Sequence, residues 1–296
     1  MNNERHKSFS VQRQPRQAAL TECQGWLPVR ADDSHKGSNG RVLVAGGEQS
    51  MAGAACLAGW SAYSAGAGLV RVATIPENVT AITNCRPELL VSAIDSASAL
   101  KPLLQQIDTL AVGPGLGQTA WSRSIFEYCL EHATPNIVDA DGLNLLADTR
   151  DKRADWILTP HPGEAARLLD CQAGDIQADR LAAASEIAHQ YGGICILKGH
   201  GSLVVSEQGD AWLCPYGNAA LAVAGSGDVL TGLLAALLAQ GMRPVQASVA
   251  AVVLHASAAD RYVAEFGNVG MLASELMGPI RKLRNQPLMK NAPAED

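Results

Sequence analysis

The chain has 296 residues, 47% of them hydrophobic and 18% charged, which is enough apolar material for one large domain or two small ones. A formal net charge of −6, with no basic stripe beyond the short N-terminal stretch, argues against a nucleic-acid partner, because phosphate backbones demand clustered Lys and Arg. Seven scattered cysteines without a CxxC pair argue against a disulfide frame or a zinc site and read as reduced, small apolar residues.

Residues 1–30 open with "MNNERHKSFSVQRQPRQ", polar and without periodicity, and are expected to form a flexible arm. They hold no apolar stretch suited to a signal peptide. No apolar run in the chain reaches the about 18 residues of a membrane span, so a soluble, cytoplasmic protein with no membrane partner is expected. "RVLVAGG" (41–47) reads as a buried strand running into a glycine turn, and "MAGAACLAGWSAYSAGAG" (51–68) as a small-residue helix closed by glycines. Further strands are expected at 69–75, 108–113, 136–141, 156–160 and 194–199, with helices over 119–132, 164–169 and 178–191 between them. This βαβ rhythm predicts an α/β fold of three layers, a mainly parallel central sheet flanked by helices on both faces. Beyond 199 the rhythm changes. "SLVVS" and "AWLC", divided by "EQGD", predict a hairpin. Helices are expected over 227–241, 244–264 and about 270–285. No Pro/Ser-rich linker interrupts residues 35 to 285, so 31–285 reads as one domain and 286–296 as a flexible tail.

In open α/β sheets ligands bind at the carboxyl ends of the strands. The segments there are rich in turn residues: "GGEQSMAGAA", "VGPGLGQ", "VDADGLN", "LTPHPGE", "LKGHGS" and "AGSGD". In the last, Gly225, Ser226 and Gly227 can turn backbone N–H groups inward as a nest, and the helix that follows adds the positive end of its dipole. An anion hole with Asp228 beside it suits phosphoryl transfer, with the carboxylate as base for an attacking hydroxyl. A lone GxGD would read as a helix cap. Its place late in a β/α chain, among other glycine loops, favours the anion site. Lys198 at a strand end can meet a phosphate as a point charge, or be a solvated lysine on an ordinary turn, while Gly199 and Gly201 permit close backbone approach. Asp139, Asp141 and Asn144 can organise water or a metal, or simply cap turns. Glu164 suits a helix start, and His255, on an apolar helix, reads as a core histidine. Gly113, Gly115 and Gly117 are spaced GxGxG, so they are no Rossmann fingerprint, and no Walker or GxSxG signature occurs.

"AGSGDVLTG" resembles the signature of ribokinase-like small-molecule kinases. "SHKGSNGRVLVAGG", "MAGAACLAG", "VGPGLG", "ILTPHPGE", "LKGHGSLV" and "GNAALAVAGSGDVLTG" together resemble the ADP-dependent NAD(P)H-hydrate dehydratase family, over about residues 34 to 280. The resemblance implies a ribokinase-like catalytic domain. It also implies ADP-driven dehydration of the S epimer of hydrated NADH or NADPH, with release of AMP and phosphate. It casts Asp228 as base and substrate contact, with Ala54, Gly115 and His161 as further substrate contacts. Lys198, Gly199, His200, Gly201, Ser202 and Gly227 would contact the nucleotide. It further implies ADP as co-substrate, Mg²⁺ as cofactor without a readable ligand set, and a homo-oligomer, with a homotetramer as one form. Many members carry an N-terminal epimerase domain, so epimerisation here is expected from a separate protein. Two alternatives remain: a kinase of a small alcohol or vitamin precursor, and a nucleotide-binding regulator without catalysis.

Overall fold

A computed structural model describes residues 14–131 and 136–286. Ten strands are found there: β1 (Arg16–Gln17), β2 (Arg41–Ala45), β3 (Leu69–Thr74), β4 (Leu90–Ala93), β5 (Thr109–Val112), β6 (Asn136–Val138), β7 (Trp156–Leu158), β8 (Ile194–Leu197), β9 (Leu203–Ser206) and β10 (Ala211–Leu213). The α-helices are α1 (Leu20–Trp26), α2 (Ala52–Ser64), α3 (Val79–Cys85), α4 (Lys101–Leu104), α5 (Ala120–Leu130) and α6 (Asp141–Thr149), followed by α7 (Pro162–Leu168), α8 (Ala173–Ala178), α9 (Arg180–Tyr191), α10 (Ser226–Ala239), α11 (Pro244–Phe266) and α12 (Met277–Arg284). One sheet takes all the strands, in the order β1-β10-β9-β8-β7-β6-β5-β2-β3-β4. From β8 to β4 every pairing is parallel, and β9 runs antiparallel to both β8 and β10, which is the expected hairpin.

Period-two alternation buries both faces. Val42 and Val44 of β2, Ala111 of β5 and Ile194 and Ile196 of β8 join a core with residues of α2, α10 and α11. Leu43, Ala45, Leu110, Val112, Cys195 and Leu197 face the other way, against Phe126, Leu146 and Ile187 of α5, α6 and α9. These are the three layers expected. Six of the seven cysteines are wholly or partly buried, and all seven are free. Among the described residues no helix is long and apolar enough to cross a membrane.

Two expectations need correction. Residues 14–30 are not a loose arm. β1 pairs with β10, Cys23 of α1 is fully buried, and the Leu20 amide donates to Tyr216 Oη at 3.1 Å. α1 has seven residues, under two turns, too short for a periodic window to reveal it. The remainder of the expected arm (1–13) and tail (287–296) lies outside the described residues. The helix expected over 270–285 is shorter: a 3₁₀ turn at Ala273–Leu276 leads into α12.

β2 pairs with both β3 and β5, so the chain leaves it in opposite directions and this is the switch point of the sheet. The loops after β2 and β5 clasp there, the Gly47 amide donating to Pro114 O at 3.0 Å and the Glu48 amide to Gly115 O at 2.6 Å. α10 crosses the sheet tightly against α2. A Cβ on Gly232 would lie 1.9 Å from the Ala58 carbonyl oxygen, and Ser61 Oγ donates to Val229 O at 2.6 Å. Gly232→Ala is therefore expected to cost about 1–3 kcal/mol through overpacking, read as a lower urea midpoint. An unchanged midpoint would mean that the two helices do not approach this closely.

Candidate active site

The site is built around Asp139, which directly follows β6 and is 1% exposed. Its Oδ1 accepts from Lys198 Nζ at 2.8 Å and from Thr159 Oγ1 at 2.7 Å. Its Oδ2 accepts from Thr231 Oγ1 at 2.7 Å. Lys198 directly follows β8, Thr159 directly follows β7, and Thr231 lies in α10. One carboxylate thus ties three segments together. Burial alone would raise its pKa. The Lys198 charge and the three donors outweigh burial and hold it below the ordinary value. The next residue, Ala140, has φ 48° and ψ −119°, a strained conformation for a residue with a Cβ. Gly113 is required opposite, since a Cβ there would lie 1.8 Å from the Asp139 carbonyl oxygen.

Lys198 lines the cavity and is also held in an ion pair that the sequence did not disclose. Its ammonium is bound to Asp139 and lies 3.7 Å from Glu164 Oε2, with 18% of the side chain exposed. Burial would lower its pKa, but Asp139 and Glu164 more than offset that and keep it charged. Its charge sits beneath the glycine loop, where a Cβ on Gly227 would come within 3.4 Å of Nζ. Glu164 also closes a capping box on α7: its Oε2 accepts from the His161 amide at 2.7 Å, and His161 Nδ1 accepts from the Gly163 amide at 2.9 Å. The expected helix-start role of Glu164 is therefore present, together with an ion-pair role that the sequence did not disclose.

A cavity of about 830 Å³ opens above this floor. Its lining includes His161, Lys198, Gly199, His200, Ser202, Gly225, Ser226, Gly227 and Asp228. Gly225 has φ 88° and turns the chain into α10, which starts at Ser226. The first-turn N–H groups of a helix have no intrahelical partner, so they and the dipole favour an anion here. The Asp228 carboxylate stands in that turn with no hydrogen-bond partner among the described residues. Burial pushes its pKa up to about 7, and Asp139 adds to the push. Lys198 opposes it, while Asp141 and Glu164 reinforce it.

The "KGHGS" loop forms one wall. Ser202 Oγ donates to Gly199 O at 3.0 Å and accepts from the Gly199 amide at 3.2 Å. Gly199 and Gly201 have φ of 147° and 69°. Arg180 of α9 supports the loop by donating to the carbonyls of Leu197 and His200. On the opposite wall, Asp260 of α11 accepts from Asn218 Nδ2 at 2.7 Å and from the Gly217 amide at 3.0 Å. His255 is buried, as expected of a core histidine, yet its ring reaches the cavity wall, with Nε2 3.4 Å from Ser226 Oγ. Burial lowers its pKa to about 4 despite the Ser226 contact, and Lys198 lowers it further, so the ring is neutral at pH 7.

Three expected site residues stand apart. Gly201 does not line the cavity, and neither do Ala54 and Gly115, which meet each other at the switch point. A Cβ on Gly115 would lie 3.0 Å from Ala54 Cβ. Asp141 and Asn144 tie segments together: Asp141 Oδ2 accepts from the Gly117 amide at 2.9 Å, and Asn144 Nδ2 donates to Asp141 Oδ1 at 3.3 Å while its Oδ1 accepts from Arg167. Among the described residues no group of three or more His, Cys, Asp or Glu side chains is arranged to hold a metal. Nothing in the sequence pointed to Thr159, Thr231, Arg180 or Asp260, whose partners lie far along the chain.

The fold is the ribokinase-like α/β fold: a ribokinase-like superfamily protein of Enterococcus faecalis superposes with a TM-score of 0.84 at 24% identity. Residues 42–282 match the sequence profile of the NAD(P)H-hydrate dehydratase family, and the chain belongs to that family. It is 38% identical over 291 residues to the ADP-dependent (S)-NAD(P)H-hydrate dehydratase of Neisseria meningitidis, with 95% of this chain and 97% of that protein covered. It is 45% identical over 259 residues to the bifunctional NAD(P)H-hydrate repair enzyme Nnr of Coxiella burnetii, with 88% of this chain and 53% of the relative covered. The chain thus spans about half the length of the bifunctional relatives it matches. The crystal structure of the ADP/ATP-dependent NAD(P)H-hydrate dehydratase of Bacillus subtilis, co-crystallised with ATP and Mg²⁺, superposes with a TM-score of 0.81 at 31% identity, covering 91% of this chain and 98% of that one.

Removing Asp139 would leave the Lys198 ammonium buried beside Glu164 alone. Asp139→Asn is expected to destabilise the fold by about 3–5 kcal/mol, the cost of breaking a buried pair. Chemical denaturation measures it, and a loss under about 1 kcal/mol would show that Asp139 and Lys198 are not a buried pair.

Proposed function

We propose that the chain catalyses ADP-dependent dehydration of the S epimer of hydrated NADH and NADPH, releasing AMP and phosphate. The single observation that carries this reading is the unpartnered Asp228 carboxylate in the first turn of α10, beside the Gly225–Gly227 turn and inside the cavity. Family membership, and a relative of that activity matched along nearly its whole length, support the choice of substrate.

The residues assign themselves steps. Asp228 takes the proton from the ring hydroxyl as its oxygen attacks the β-phosphorus of ADP. The bond from that phosphorus to the bridging oxygen breaks, and AMP leaves. The backbone amides at Gly225–Gly227 hold the transferring phosphoryl group, and the Lys198 charge beneath Gly227 reinforces them. The ring now carries a phosphate ester, a far better leaving group than hydroxide. The ring-nitrogen lone pair expels it, and loss of a proton from the adjacent carbon restores the dihydronicotinamide. Ala54 and Gly115 at the switch point and His161 at the cavity rim are the proposed ring-side contacts. Gly199, His200, Gly201 and Ser202 are the proposed nucleotide-side contacts.

Mg²⁺ fits as an ion carried in on the nucleotide. It would neutralise phosphate charge, held mainly by phosphate oxygens and water, because Lys198 already engages both Asp139 and Glu164. Selectivity for one epimer calls for a separate epimerase to supply it. A cytoplasmic homo-oligomer completes the proposal.

Incubation with ADP and hydrated NADH is expected to restore the NADH absorbance band and form AMP. Nucleotide consumption without that recovery would favour a small-alcohol kinase. Asp228→Asn is expected to lower kcat by about a thousandfold with ADP affinity retained. The pH dependence has a definite sign. The base form is the carboxylate, so kcat/KM should fall about tenfold per pH unit below the Asp228 pKa of about 7 and level off above it. In Asp139→Asn, where the folded enzyme is recovered, the midpoint should move to lower pH, since a negative neighbour has been removed. A midpoint that stays put would remove Asp139 from the electrostatics of the base.

A further inference from the structure

At the opposite end of the sheet from Asp228 lies a second cleft, of about 1040 Å³. The segments entering β2 and β3 (34–39 and 66–68) border it, together with residues 27–30 and the ends of α10 and α12. Its lining holds four cations, Arg30, Lys36, Arg281 and Arg284, and no carboxylate. None of the four makes an ion pair among the described residues. Their bonds go to neutral acceptors: Arg30 donates to Gly66 O at 2.7 Å, and Arg284 donates to Pro28 O at 2.5 Å and Gln240 Oε1 at 3.2 Å.

Two polar atoms at this wall are buried with no hydrogen-bond partner, Ser64 Oγ and Arg284 Nε. Ser64 is 5% exposed. Unsatisfied buried donors are costly, so finding two at one cleft points to a missing acceptor. Burial lowers the Arg284 pKa and Arg30 lowers it further, so the two guanidiniums oppose each other.

Helix ends supply part of the missing negative charge. α1, α2, α10 and α12 all finish at this cleft, where Leu27, Ser64, Gln240 and Arg284 line it. Each C-terminus offers roughly half a negative charge, about two in all. Against four cations, about two positive charges are left over. In a chain of net charge −6, such an excess is local and built. We propose that this cleft binds a phosphate-bearing anion of at least two charges, at a site separate from the cavity around Asp228.

The probe is inorganic pyrophosphate, titrated calorimetrically into the full chain. Saturable binding is expected, with one component weakened about tenfold or more in Arg30→Gln/Arg284→Gln, the effect of losing charge-assisted hydrogen bonds. Because Arg284 also holds the 27–28 segment, Arg30→Gln/Lys36→Gln serves as the companion variant. Both positions are exposed, and the variant should melt like the wild type. Weakened binding in the companion upholds the proposal even where the Arg284 variant unfolds. Affinity unchanged in the companion, or no saturable binding to the wild type, overturns it. The measurement needs no turnover, so its result is independent of the reaction proposed above.

Discussion

A fully buried carboxylate joined to an ammonium organises this molecule. Burying two charges costs several kcal/mol each, and their mutual attraction compensates only where the remaining lone pairs and protons are also used. Asp139 meets that condition. Both its oxygens accept short bonds, from a lysine after β8, a threonine after β7 and a threonine within α10. The pair therefore acts as a three-way joint. It sets the height of α10 over the strand ends, which fixes where Gly225 turns and where Asp228 stands. The strained Ala140 is held between that joint and the Gly117–Asp141 contact, where the surrounding bonds over-determine its backbone.

The same joint governs the chemistry of Asp228. A carboxylate at its ordinary pKa is a weak base, and one deep in apolar surroundings stays protonated. Asp228 lies between these limits because burial raises its pKa first, three neighbouring carboxylates add to that, and one ammonium relieves part of it. The outcome, near 7, suits proton abstraction at neutral pH. That ammonium is also why Lys198 need not reach a phosphate to matter. From beneath Gly227 it adds positive potential to the first turn of α10, whose amides have no intrahelical partner.

The sequence disclosed what is local. Alternating Val and Leu runs marked the central strands, "EQGD" marked the hairpin turn, and three of the strand-end segments, "LTPHPGE", "LKGHGS" and "AGSGD", line one cavity. "AGSGD" was legible as a glycine turn with an adjacent carboxylate because Gly225 to Asp228 lie within four residues on one turn. The joint was not legible, since Asp139 meets Thr159, Lys198 and Thr231 from 20, 59 and 92 positions away. The sequence showed Lys198 at a strand end but not the acid it pairs with. α1 escaped for a related reason: a seven-residue helix has no period to detect, and its order comes from packing on α11 and β10, far along the chain.

α10 gives the whole architecture a polarity. Its 14 residues span roughly 21 Å, from the glycine turn beside Asp228 to the cleft where Gln240 and Arg284 meet. The positive end of its dipole faces the cavity and the negative end faces the cationic cleft. Each end is thus matched in sign to what surrounds it. Three acids beside Asp228 are tolerable next to a helix start that attracts anions, and four cations are tolerable beside helix ends that attract them. The packing of Gly232 on Ala58 leaves α10 no room to move independently of α2. The two ends are therefore rigidly spaced, and charge at one reaches the other only through about 20 Å of packed helix, where screening leaves little direct coupling. The charges that act on Asp228, beyond its burial, are consequently local to the joint at Asp139.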